Sequence, residues 1–142
     1  QQYFSETFQR LFGGGNGEIS LSNPNDPLNC GIEIIVQPPG KKRQLLSLFS
    51  GGERALTAIA ILFAMLKLKP TPFCILDEIE AALDDANISY FADYLKEFSK
   101  DTQFIVVTHR KGTMERCDTL FGVAMEERGI SSMVSVNLKD YQ

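Results

Sequence analysis

Phe73-Cys74-Ile75-Leu76-Asp77-Glu78 is an apolar run that stops abruptly at two adjacent acids. Pro70-Thr71-Pro72 precedes it and breaks whatever comes before. A short apolar run bounded by such breakers reads as a buried strand, Phe73–Leu76. Upstream, Ser50–Leu68 reads as a long helix. Downstream, Asp84–Ser99 reads as an amphipathic helix with Ile88, Phe91, Leu95 and Phe98 inward, and Phe104–Val107 as a second buried strand. Helix, strand, helix, strand in this order predicts an α/β fold with parallel strands joined by crossovers.

In open α/β sheets, ligands bind beyond the carboxyl ends of the strands. Asp77 stands at that end, where a carboxylate suits a hydrated Mg²⁺, a hard cation that prefers oxygen ligands. Glu78 beside it is placed to orient or deprotonate an attacking water. The alternative is an acidic loop in solvent. His109, the only histidine, follows the second strand through Thr108. It therefore lies at the same end of a neighbouring strand, where it can hydrogen-bond a γ-phosphate. A structural or surface histidine is the alternative there.

Ser50-Gly51-Gly52-Glu53 opens the long helix. Ser-x-x-Glu is a capping box. Two glycines weaken a helix start that needs only a cap. They would also let backbone amides approach a phosphate, at the helix end whose dipole favours an anion. A Walker A loop needs G-x-x-x-x-G-K-[ST]. The one Gly-Lys step, Gly40-Lys41, has Ile35 at the first glycine position and Lys42 where Ser or Thr is required. Groups suited to hydrolysis are present and the main phosphate cradle is not.

The rest of the chain is β-rich on the amino-terminal side. Gln1–Phe12 places Phe4, Phe8, Leu11 and Phe12 on one helical face and begins without a cap. Gly13–Gly17 ends it. Glu18–Leu21 and Gly31–Gln37 read as strands around a turn-rich loop, and Arg43–Phe49 as an extended or irregular run after Pro38-Pro39-Gly40. Lys111–Cys117 is a short helix or turn, with strands at Thr119–Ala124 and Met133–Leu138.

The 142 residues suit one domain, or a large part of one. With 44% hydrophobic and 23% charged residues the composition is that of an ordinary globular protein. The net charge of −4 gives no global reason to expect nucleic acid. Lys41-Lys42-Arg43 and Arg110-Lys111 read as solvated loop charges. Cys30, Cys74 and Cys117 have neither zinc nor disulfide-framework spacing. Cys74, inside the apolar run, reads as a buried thiol. Gln1–Phe12 lacks the pattern of a signal peptide. The apolar stretch Ala55–Leu66 is too short to span a bilayer and reads as a core helix.

In this order and spacing the pieces resemble the C-terminal head segment of SMC (structural maintenance of chromosomes) ATPases, most of all the bacterial type. The resemblance rests on Phe49-Ser50-Gly51-Gly52-Glu53-Arg54-Ala55-Leu56-Thr57-Ala58, on Pro72–Asp77 with Glu78, on Ala81-Ala82-Leu83-Asp84-Asp85-Ala86-Asn87, and on Thr108-His109-Arg110-Lys111-Gly112-Thr113-Met114. It extends back through Leu11-Phe12-Gly13-Gly14 and Pro38-Pro39-Gly40-Lys41, so it covers nearly the whole chain. Phe49 stands where the family commonly has leucine.

The resemblance implies the C-terminal part of an ABC-type P-loop ATPase head: a mixed sheet with crossover helices. Residues 1–12 would be a short coiled-coil stub, 13–49 a β-rich segment, and 50–142 the signature, Walker B, D-loop and switch-histidine region. It implies ATP and Mg²⁺ as cofactors, with Asp77 as the Walker B aspartate holding Mg²⁺. Glu78 would be the catalytic glutamate and His109 the switch histidine. Ser50, Gly51 and Gly52 would form the signature that contacts nucleotide on the opposite head, and Asp84 would belong to the D-loop between heads. The implied partners are the N-terminal half of the same head, a second SMC head in an ATP-dependent homodimer, a kleisin subunit and DNA, with no membrane. The implied place is the nucleoid, in the cytoplasm. A head segment of a related DNA-repair ATPase, and a non-catalytic interaction module, are the competing readings.

Overall fold

A computed structural model describes residues 1–138. Helix α1 (Gln2–Phe12) opens the fold. Strands β1 (Asn16–Leu21), β2 (Ile32–Gln37) and β3 (Gln44–Leu45) form an antiparallel sheet in that order. Of the run Arg43–Phe49 only Gln44–Leu45 is strand; Leu46–Leu48 tightens into a 3-10 turn. Helix α2 (Gly51–Leu68), strand β4 (Phe73–Asp77), helix α3 (Asp85–Phe98) and strand β5 (Gln103–Val107) follow. β4 and β5 pair in parallel, Phe73 against Gln103 through Asp77 against Val107, with α3 as the crossover. A four-residue helix α4 (Lys111–Met114) leads to the antiparallel hairpin of β6 (Thr119–Glu127) and β7 (Ile130–Asn137).

α1 ends because Gly13 adopts a left-handed conformation, φ +66°, and donates its amide to Gln9. Gly15 is required more strictly. Its φ is +81°, and a Cβ there would lie 2.2 Å from the Gln37 carbonyl oxygen. This close approach seats the start of β1 against the end of β2.

The apolar face of α1 enters the core: Phe4, Phe8 and Leu11 are buried against the buried faces of α2 (Leu56, Ile59, Ala60, Phe63) and α3 (Ile88, Phe91, Leu95). Phe63 is the centre. The rings of Tyr94, Phe98 and Phe104 lie 5.1, 5.5 and 5.9 Å from it and join α2, α3 and β5. α2 is not buried all round, since Met65 remains 62% exposed.

Helices cover only one face of β4–β5. Leu76 is buried, whereas Phe73, Ile75, Ile105 and Val107, which alternate on the opposite face, are exposed. Cys74 shares the covered face with Leu76 and packs against the core, though half-buried rather than buried; burial raises its pKa. Parallel sheets are normally covered on both faces, so the exposed face suits a further layer. The β6–β7 hairpin likewise exposes Phe121, Val123, Met125 and Met133. No helix among the described residues is long and apolar enough to cross a membrane.

Asp84 caps α3 from just outside it, accepting the Asn87 amide at 2.9 Å and the Asn87 side-chain amide at 3.1 Å. Asp84→Ala is therefore expected to cost about 1 kcal/mol of stability, read as a lower urea midpoint. An unchanged midpoint would mean that the cap contributes nothing.

Candidate active site

The site forms where β4 and β5 end side by side. The ladder runs one residue beyond β4, because the Glu78 amide donates to the Val107 carbonyl at 2.9 Å. Glu78 then turns left-handed, φ +48°, the only described non-glycine residue with positive φ. Strain of this kind costs on the order of 1–3 kcal/mol and tends to occur at functional sites. It ends the strand abruptly. The chain then closes two turns, Ala81 amide to Glu78 carbonyl at 3.1 Å and Leu83 amide to Glu80 carbonyl at 2.9 Å.

Glu78 and His109 meet as the sequence predicts. His109 Nδ1 lies 3.3 Å from Glu78 Oε1. Both side chains are more than half exposed, so the pair contributes little stability. Its significance is geometric: a carboxylate and an imidazole face one open space at the carboxyl end of a parallel sheet. Asp77, the last residue of β4, is exposed next to them. Among the described residues no three His, Cys, Asp or Glu side chains form a metal cage. One exposed aspartate nevertheless fits Mg²⁺, which keeps several waters and takes its other ligands from phosphate.

Ser50 realises the capping box. Its hydroxyl oxygen accepts the Glu53 amide at 3.4 Å, and the Glu53 carboxylate accepts the Ser50 amide at 3.2 Å. Lys41 pairs with Glu53 at 2.8 Å, tying the β2–β3 turn to the first turn of α2. Partial burial raises the Glu53 pKa, but hydrogen bonds from Lys41 and Ser50 outweigh it and leave the pKa below the usual value. The glycines differ. A Cβ on Gly52 would lie 3.0 Å from the Ala82 carbonyl oxygen, so the start of α2 packs on the segment that follows Glu78. A Cβ on Gly51 would meet nothing within 4 Å. Packing among the described residues therefore gives no reason for glycine at position 51.

The basic clusters also separate. Lys41 and Arg43 pair with Glu53 and Glu18 on the surface. Arg110 is not a solvated loop charge. It is half-buried, and its Nη2 donates to the carbonyls of Ala81 at 3.0 Å and Leu83 at 2.9 Å.

Sequence reasoning passes over Glu80, a carboxylate with 0% exposure. Its Oε1 accepts hydrogen bonds from the Thr108 hydroxyl and, at 3.1 Å, from the Thr113 hydroxyl. Its partners lie 28 and 33 residues away, so no local pattern distinguishes it from the exposed acids around it.

The family described as "RecF/RecN/SMC N terminal domain" matches residues 24–132. The chain is 61% identical over 140 residues to the chromosome partition protein Smc of Bacillus subtilis (strain 168), covering 99% of this chain and 12% of that protein. To the protein of the same name from Desulfitobacterium hafniense (strain Y51) it is 61% identical over 136 residues, 96% of this chain and 11% of that protein. The chain thus spans a small part of the curated relatives it matches.

Among solved structures, one described as "Structural biochemistry of ATP-driven dimerization and DNA stimulated activation of SMC ATPases" superposes with a TM-score of 0.89 at 44% identity, covering 99% of this chain and 84% of that one. A Pyrococcus furiosus Smc head domain, with an extended coiled coil and bound to the C-terminal domain of ScpA, superposes with a TM-score of 0.88 at 46% identity, covering 99% of this chain and 35% of that one.

Proposed function

Because this chain belongs to the RecF/RecN/SMC family and has the fold of an SMC ATPase head, we propose that it supplies the hydrolytic part of such a head, in a protein that partitions chromosomes. The observation that carries this reading is the 3.3 Å approach of His109 to Glu78 across the ends of two parallel strands. ATP is the substrate, and the phosphate cradle comes from a Walker A loop in the N-terminal half of the same head. The uncovered face of Phe73, Ile75, Ile105 and Val107 supports such a partner.

In this mechanism Asp77 would hold Mg²⁺, which when bound would supply positive charge to the phosphates. Glu78 orients the attacking water and takes its proton. His109 steadies the Glu78 carboxylate through Nδ1 and faces the γ-phosphate. Ser50, Gly51 and Gly52 serve the nucleotide of a second head. The open space over Gly51, where no described residue lies within 4 Å of an added Cβ, supports an approach from outside. Asp84 and the segment before it lie on the same head–head surface. A kleisin and DNA complete the assembly on the nucleoid.

The trans role is tested by Ser50→Arg in the full-length protein. ATP should still bind each head, while ATP-dependent dimerisation weakens at least about thirtyfold, the scale of a lost contact of about 2 kcal/mol. Sedimentation with ATP reads both species. Dimerisation equal to wild type would leave Ser50 as a helix cap alone.

A further inference from the structure

We propose that Glu80, Thr108 and Arg110 are positioning residues that set the Glu78–His109 pair by lacing the segment after β4 to the segment after β5; the inference rests on the function proposed above.

The ties cross in both directions. From the first segment, buried Glu80 reaches the Thr108 hydroxyl and, on α4, the Thr113 hydroxyl. From the second, Arg110 reaches back to the carbonyls of Ala81 and Leu83. Thr108 is the knot. Its hydroxyl donates to Glu80 and accepts the Arg110 amide at 3.0 Å, so it is fixed on both sides. His109 lies between these two anchored residues with its side chain 64% exposed. Little packing holds the ring, and the backbone of residues 108–110 sets its direction. Glu78 is aimed in the same way, by its left-handed backbone and by the turns that Glu80 and Arg110 hold.

The arrangement is costly for stability alone. Glu80 Oε2 and Arg110 Nε are buried with no hydrogen-bond partner among the described residues. A buried acid that leaves an oxygen unpaired is destabilising relative to an apolar side chain of similar size. Such a group is better accounted for by what it orients, as are the partners behind catalytic and metal-binding side chains generally. The laced segment 80–84 also carries the Ala82 carbonyl against which Gly52 packs. The same ties therefore connect the start of α2 to His109.

The test is steady-state ATPase activity of the full-length protein. Thr108→Val keeps the shape and removes the knot. It should lower kcat about 10–100-fold, the usual scale for such supporting partners, with KM for ATP within about threefold of wild type. Thr108→Ser keeps the hydroxyl and should restore the rate. Thr102→Val is the control: Thr102 is also buried and donates to the Thr71 carbonyl at 3.2 Å, outside the site. It should lose stability but keep kcat. Combined with Glu78→Gln, Thr108→Val should lower kcat by less than it does alone, because much of its effect passes through the carboxylate already replaced. A Thr108→Val kcat equal to that of the Thr102→Val control, or no restoration by serine, overturns the inference. If Thr108→Val does not fold, Arg110→Lys takes its place. Lysine keeps the charge on a flexible stem that grips two carbonyls poorly, so kcat should fall about tenfold or more, and a wild-type kcat overturns the inference. Wild-type turnover in Glu78→Gln alone would instead remove the proposed function. An inactive Glu78→Gln beside a fully active Thr108→Val would remove only the positioning role.

Discussion

Glu78→Gln in the full-length protein is expected to lower ATP turnover about 10²–10⁴-fold, the contribution of a positioned general base. That corresponds to about 2.7–5.4 kcal/mol of barrier. Glutamine has the size of glutamate, and its side-chain oxygen can still accept from His109, so the geometry at the ends of β4 and β5 should persist. What is lost is the ability to take a proton from water. Asp77 is untouched, and so is the proposed Mg²⁺ site. Binding should therefore survive while the chemical step slows, and ATP-bound head dimers should accumulate. ATPase assays give the rate and sedimentation gives the dimer fraction. Turnover at the wild-type rate would exclude Glu78 from the mechanism.

The elements at this site are legible in the sequence because each announces itself locally. The apolar run ending at Asp77 predicts β4, and Ser50 and Asp84 read as helix starts; both prove to be caps standing one residue outside their helices. The approach of His109 to Glu78 follows from putting two such strands side by side. The double reading of Ser50-Gly51-Gly52-Glu53 also survives, since the capping box forms and still gives Gly51 no packing reason to be glycine.

What is not legible depends on distant partners or on surfaces this chain leaves open. Glu80 and Arg110 look like ordinary exposed charges until Thr108, Thr113 and the carbonyls of Ala81 and Leu83 enclose them. Charge also conceals the extent of the last hairpin. The strand expected at Thr119–Ala124 continues through Glu127, because with most of its side chains exposed it accepts charged residues; Gly129, φ +87°, then turns it into β7. Leu138 lies just past β7, although its amide still bonds the Asp118 carbonyl at 2.9 Å.

The largest effect expected is all or nothing. The 142-residue chain alone should bind no ATP at micromolar concentration and hydrolyse none above background. Most phosphate binding in P-loop enzymes comes from the Walker A backbone and its lysine, and no stretch of this sequence matches that loop. Asp77 and Glu78 by themselves present negative charge to a negative ligand. The exposed rows on β4–β5 and on the hairpin should instead drive association with the N-terminal half of the head, the proposed source of the cradle. Calorimetry of ATP with Mg²⁺, against this chain alone and against this chain mixed with that half, is the most direct test. No heat of binding is expected in the first titration, and stoichiometric binding, followed by turnover, in the second. Tight stoichiometric ATP binding by this chain alone, or none after the halves have associated, would contradict the proposed function.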